Sequence, residues 1–349
     1  MYFNNIQAIR GIASLMVFLI HLLSTSNQIQ LPWLHQQINI YGPAGVDIFF
    51  VLSGLVVTLS AMSGSDRPFS INNSASFFSK RVLRIYPPYL VVLLVAVIIS
   101  PPVWLAPDWL PQYSFFRLAT LTTAINYKVM VAWSLAFEMF FYLVLTVLVF
   151  FGRDRFKVLL ISWILLELAL ITYFNAMDKN YSNWLPLNPQ ILQFAAGCLI
   201  ACYIKKITTA YGLSILISGT IFFALMCKAN EYMGGWNAFN RTITLTIPSA
   251  MIIYGAIASE IGNKFIFNKY FVWLGNISFS MYLWHQLTFQ SAEYIFKKMN
   301  LMSLNSYLIL AIWACMGLAV SCASYYLIEK RISNLISSKR MVRVSVNPA

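Results

Sequence analysis

Apolar stretches long enough to cross a bilayer, roughly 17–25 residues each, follow one another along this 349-residue chain. The expected spans lie near 9–25, 44–62, 87–104, 130–150, 157–174, 189–204, 209–227, 241–258, 271–288 and 306–328. Of all residues 59% are hydrophobic and 10% charged, where a soluble domain carries about 25% charged residues. The chain is therefore expected to be an all-α integral membrane protein, a bundle of about ten transmembrane helices. A membrane domain over 1–335 and a basic cytoplasmic tail over 336–349 account for the sequence, because the polar stretches 63–86 and 105–128 are too short to fold alone. The first run carries an internal Arg10 and His21 and ends without a small-residue cleavage site, so it is read as a helix and not as a cleavable signal.

The net charge of +13 is topological. With the N-terminus inside, 17 of the 24 Lys and Arg fall on the cytoplasmic side, which fits the positive-inside rule with both termini cytoplasmic. Nucleic acid is excluded as a partner and the lipid bilayer takes its place. Cys198, Cys202, Cys227, Cys315 and Cys322 all sit in or at the ends of apolar spans with no histidine or acid beside them, so neither a metal site nor a disulfide framework is expected. No internal repeat relates the two halves, which counts against the inverted-repeat transporter folds. The serines and asparagines of SINNSASFFSKRVLRIYPPYL suit the start of an interfacial helix, with a break at Pro87 and Pro88 before the third span. The outer segments NQIQLPWLHQQINIYGPAG and PDWLPQYSFFRL are aromatic and amide-rich, which suits interfacial anchoring.

Ionisable residues inside these spans carry the chemistry, since a charge in hydrocarbon costs several kcal/mol unless it faces a partner or a wet cavity. Arg10 and His21 are eleven residues apart, hence on one helix face and ~16 Å apart along its axis. Histidine, titrating near pH 6.5, suits a general base. Asp47 in GPAGVDIFFVLSG either orients that imidazole or is a first-turn acid favoured by the helix dipole. Ser134, Glu138 and Tyr142 form one polar edge at four-residue spacing, and Ser278, Tyr282 and His285 a second. His21, Asp47, Glu138 and His285 are thus expected to converge between mid-membrane and the outer face. Arg81 and Arg84, three apart at the cytoplasmic mouth, either anchor topology or grip an anionic ligand, phosphates above all. Glu329 closes the last span and has Lys330 and Arg331 beside it as pairing partners.

These residues resemble the landmarks of the membrane acyltransferase 3 family. The resemblance rests on Arg10 and His21 at their spacing, on the run Gly42, Gly45, Phe49, Phe50, Ser53 and Gly54, on the Arg81–Arg84 pair, on SFSMYLWH and on the final YLIEKR, and it covers nearly the whole chain. WSLAFEMFFY is similar to the subgroup of exopolysaccharide and O-antigen acetylation. The resemblance implies transfer of an acyl group, most often acetyl, from cytosolic acyl-CoA to a hydroxyl of a surface or lipid-linked polysaccharide. It implies a multi-pass protein of the bacterial inner membrane, with polysaccharide-assembly proteins as partners. It gives His21 as the catalytic histidine, with Asp47, Glu138 and His285 around the reaction, and Arg10, Arg81, Arg84 and Glu329 as the set serving coenzyme A. The extra hydrolase-like domain of two-domain members does not follow, and Ile332 stands where the family's closing motif has proline. The rival is a proton-coupled transporter using the same Arg, His, Asp and Glu as a relay; it needs no cytosolic phosphate site, whereas the enzyme needs Arg81 and Arg84.

Overall fold

A computed structural model describes residues 3–25, 31–62, 69–103, 115–122, 129–177, 185–233 and 238–335. Arg67, Lys128, Lys179, residues 27–30 and 107–114 of the aromatic segments, and the basic tail 336–349 lie outside the described residues. Regular structure among the described residues is helical throughout. α1 (Asn4–Ser24) is followed by a short α2 (Pro32–Tyr41), which a 3-10 turn at Gly42–Ala44 bends into α3 (Gly45–Met62). Then come α4 (Ile71–Val103), the short α5 (Phe115–Ala119), α6 (Trp133–Phe150), α7 (Arg153–Ala176) and α8 (Ile191–Cys202). The last four are α9 (Gly212–Tyr232), α10 (Ala238–Ile261), α11 (Lys269–Lys298) and α12 (Ser306–Ser324). α12 passes into a π-helical segment, Tyr325–Glu329, and the helix continues to residue 335.

Eight of these units are long and apolar enough to cross a membrane, α2 and α3 counting as one. The two remaining expected spans differ for separate reasons. α8 has 12 residues, ~18 Å at 1.5 Å per residue, short of a hydrocarbon core about 30 Å thick. α11 has 30 residues but its buried polar stripe, from Ser278 to Gln286, keeps it out of the apolar set. The outward faces are apolar: on α7, Leu165, Leu166 and Leu168 are exposed, and on α9, Ile217, Ile221 and Leu225. That inversion of the soluble pattern is what lipid as solvent requires.

One expectation is corrected. α4 runs unbroken through Pro87 and Pro88, because proline's φ near −65° is already helical. The lost N–H bonds would have gone to the carbonyls of Leu83 and Arg84, four residues back.

Two close crossings position the site. A Cβ added at Gly275 would stand 1.9 Å from the Gln7 carbonyl oxygen, and one at Gly11 would stand 2.6 Å from Gly275 N. α1 and α11 therefore run side by side and parallel, with the Ser14 hydroxyl donating to the Ser278 carbonyl at 3.0 Å. Reciprocally, Cβ atoms at Gly54 and Gly197 would each fall 2.0 Å from a carbonyl of the other helix, Phe194 and Val51, which seats α3 against α8. The near end of the bundle, where α1 begins, is held by Glu260. Its carboxylate accepts from the amides of Asn4 and Asn5, both at 2.7 Å, satisfying two orphan donors and the positive end of the dipole.

Candidate active site

α1, α3, α4, α6 and α11 enclose a cavity of about 960 Å3 of free space, including its open mouth. Each helix contributes one polar edge to an otherwise apolar lining. α1 supplies Gln7 and Arg10, α3 Ser53, α4 Arg81 and Arg84, α6 Ser134, Glu138 and Tyr142, and α11 Ser278 and Tyr282. Four-residue spacing on α6 and α11 is what brings each set to one side of its helix.

Arg81 is 9% exposed, its guanidinium 5.6 Å from the Phe77 ring centroid and 5.9 Å from that of Tyr142. The expectation of cations at an open mouth is corrected for Arg81, which is buried at the level of Tyr142, near the middle of α6; Arg84 is half-buried. The Tyr142 hydroxyl donates to Glu138 Oε1, and Ser53 Oγ donates to the same oxygen at 3.4 Å. Glu329 accepts from Ser280 Oγ at 2.9 Å, and its charge acts on Arg10 together with those of Arg84 and Glu138. Three guanidiniums thus share the cavity with one lining carboxylate, an excess of positive charge that a buried site holds at a cost until an anion enters.

His21 and His285 lie beyond this cavity and form their own pair, ring centroids 5.1 Å apart and planes inclined by 38°. His285 is fully buried. Its Nδ1 is 2.9 Å from the Met281 carbonyl; a carbonyl only accepts, which assigns the proton to Nδ1 and leaves a lone pair on Nε2. That Nε2 has no partner among the described residues. Tyr282 joins the two regions: it lines the cavity, and its ring centroid is 6.0 Å from that of His285. Its hydroxyl donates to the Val131 carbonyl at 2.9 Å and sits 2.8 Å from Ser134 Oγ.

The four acid/base residues expected to converge are divided. Glu138 faces the arginines, and His21 faces His285. Asp47 is in neither group: Arg241 Nη2 binds its Oδ2 at 2.7 Å, and Gln193 Nε2 binds its Oδ1 at 2.7 Å. Arg241 also donates to the Pro43 carbonyl at 3.0 Å. A fully buried carboxylate is better served by the forked, permanent charge of arginine than by an imidazole, so the reading of Asp47 as the histidine's orienter gives way to an ion pair. Arg241, at the very start of the expected span 241–258, is 8% exposed within α10. Its place in the first turn of an apolar helix that starts at the far end, beside Asp47, is the signal that marks it.

The Acyltransferase domain model of the acyltransferase 3 family matches residues 3–328. The chain is 25% identical over 289 residues to the O-acetyltransferase OatA of Staphylococcus aureus strains NCTC 8325, COL and MRSA252, an overlap of 73% of this chain and 47% of theirs. It thus spans about half the length of the curated relatives it matches. No solved structure matches it. With the match running through every helix that builds the cavity and the histidine pair, the chain belongs to the acyltransferase 3 family as a multi-pass membrane protein.

Proposed function

We propose that this protein is a membrane O-acyltransferase of the bacterial inner membrane that moves an acyl group, acetyl above all, from acyl-CoA to a hydroxyl of a surface or lipid-linked polysaccharide. The observation that carries the reading is the unbalanced charge of the cavity: Arg10, Arg81 and Arg84 against Glu138 in the lining, with Glu329 acting on Arg10 from outside it. Arginine forks match phosphate oxygens in pairs, and coenzyme A presents several phosphates on one arm and a thioester at the end of the other. Positive-inside counting puts the arginine end in the cytosol, where acyl-CoA is made. The far end, ~16 Å further along α1 from Arg10 to His21, then faces the acceptor.

The reaction needs one base. His21 takes the proton of the acceptor hydroxyl as its oxygen bonds to the thioester carbonyl carbon; the carbon–sulfur bond breaks, and the leaving thiolate of coenzyme A takes up that proton from the His21 imidazolium, which restores the base. His285, anchored through Nδ1–H on Met281, packs its ring against that of His21 and stabilises the imidazolium that His21 becomes. This is the orienting part often played by a carboxylate.

The test follows a labelled acetyl group from acetyl-CoA into surface glycans by mass spectrometry, with and without the gene. Arg81→Ala/Arg84→Ala is expected to weaken binding of coenzyme A to the purified protein by about tenfold or more, as loss of two charge-assisted contacts requires. Unlabelled glycans, or unchanged coenzyme A affinity in the double variant, would remove the proposal.

A further inference from the structure

Where the start of α7 meets the end of α8, cations from two separate segments gather on one ring. After α8 the chain makes a 3-10 turn, Ile204–Lys206, that carries Lys205 and Lys206. Lys157, in the second turn of α7, reaches the same place. Its Nζ is 5.8 Å from the centroid of the Tyr203 ring, and Lys206 Nζ is 5.9 Å from that centroid. All three lysines and Tyr203 are exposed. The ion pairs that stand among the described residues lie elsewhere, at Arg241–Asp47 and Lys297–Glu293, so Asp154, one turn before Lys157, pairs with none of the three. A tyrosine face holds an exposed ammonium only weakly, and two like charges drawn to one ring repel each other. An anion between them turns that repulsion into attraction.

From this cluster the surface runs on as apolar side chains. Ile161, Leu165 and Leu168 share the α7 face of Lys157, and Leu199 lies on α8 one turn before Tyr203; all four are exposed. Lys157 to Leu168 is ~16 Å of helix rise, half of a hydrocarbon core about 30 Å thick and hence the depth of one leaflet. None of these residues lines the arginine cavity.

We propose that this surface binds an anionic phospholipid, with its phosphate between Lys157 and Lys206 and an acyl chain along Ile161, Leu165, Leu168 and Leu199. Basic clusters between membrane helices hold anionic headgroups in this way. The headgroup has to be net negative. A choline or ethanolamine ammonium would cancel the phosphate charge and meet the lysines as a like charge, whereas a glycerol headgroup leaves the phosphate free to act. The apolar track distinguishes a lipid from a soluble phosphate, which could use the lysines alone and would leave the leucines bare. Lysine also differs from the arginines of the cavity. Its ammonium is a point charge on a flexible stem, which follows a phosphodiester that shifts with the bilayer and does not demand one fixed orientation.

The experiment titrates the full chain in detergent with dioleoylphosphatidylglycerol or dioleoylphosphatidylcholine and counts bound lipid by native mass spectrometry. The wild type is expected to bind the phosphatidylglycerol about tenfold or more tightly than the phosphatidylcholine. Lys157→Gln and Lys206→Gln are each expected to weaken phosphatidylglycerol binding about fivefold, and the double variant about tenfold or more. Lys269→Gln is the control. It removes an exposed lysine that sits on a tyrosine ring without a second cation, 5.5 Å from the Tyr270 centroid, and is expected to change binding by no more than about twofold. Equal affinity for the two lipids overturns the proposal, as do Lys157 and Lys206 variants that bind like the wild type. A loss in Lys269→Gln as large as in Lys157→Gln also overturns it, since that would show general attraction to a basic protein and no site. Two soluble competitors separate the sources of phosphate. Displacement of the lipid by glycerophosphoglycerol, the headgroup without its chains, or by coenzyme A would make this a soluble anion's site and overturn the lipid; retention of the lipid against both supports it.

Discussion

A fully buried imidazole with its Nδ1 proton committed to a carbonyl is oriented but uncharged, and its one free lone pair is aimed by the backbone. That is how His285 differs from His21, which is half-buried and has no described side-chain hydrogen bond to fix it. We expect His21→Ala and His21→Gln to lower glycan acylation by ~10²–10⁴-fold, the usual worth of a positioned base, while coenzyme A binding persists. Acylation at near wild-type rate in both would move the base to His285. Asp47 calls for the opposite outcome. Its place on Arg241 predicts that Asp47→Ala leaves a buried guanidinium without its carboxylate and destabilises the fold by ~3–5 kcal/mol, read as a lower melting temperature in detergent. Asp47→Leu/Arg241→Met should recover much of that loss, since removing both charges is far cheaper than removing one. A double variant as unstable as the single would argue against the pair as the cause.

Among the elements, α1 and α11 decide the geometry, and their contact is the most easily broken. Gly275→Leu places carbon where the Gln7 carbonyl now lies, forcing the helices apart and shifting His21 against His285. We expect loss of acylation together with lowered thermal stability; a Gly275→Leu protein that acylates normally would show that this crossing does not set the register. The sequence revealed the helices well. Nine of the ten expected spans coincide with long helices, because unbroken apolar runs leave the backbone no other way to satisfy its hydrogen bonds in lipid. It did not reveal the division of the polar residues into separate groups. Depth along a helix can be counted at 1.5 Å per residue, so Glu138, Asp47 and the two histidines could be placed at similar levels. Which neighbour each meets depends on rotation and helix order, and these follow from contacts such as Gly54 with Phe194 and Gly197 with Val51, which no local pattern records. The arginines were legible as a pair, yet the burial of Arg81 was not, since its neighbours Phe77 and Tyr142 come together only in the packed bundle.

At the level of the whole molecule, the distribution of Lys and Arg makes a cytoplasmic N-terminus the expected orientation. The turn holding Asn300 lies between α11 and α12 at the far end, and the turn holding Asn263 lies between α10 and α11 at the near end. We expect a cysteine at Asn300 to react with a membrane-impermeant maleimide added outside intact cells and one at Asn263 to react only after lysis; the reverse pattern would invert the proposed direction of transfer. The same connectivity governs how the protein comes into being. The first helix to leave the ribosome carries Arg10 and His21, but the carboxylate that secures its start is 256 residues away at Glu260, and the helix it lies along, α11, follows later still. For most of its synthesis the nascent chain therefore holds His21 without the His285 ring it eventually packs against. The His21–His285 pair is complete only once α11 has been made, so a polypeptide cut short before it carries one half of the pair alone.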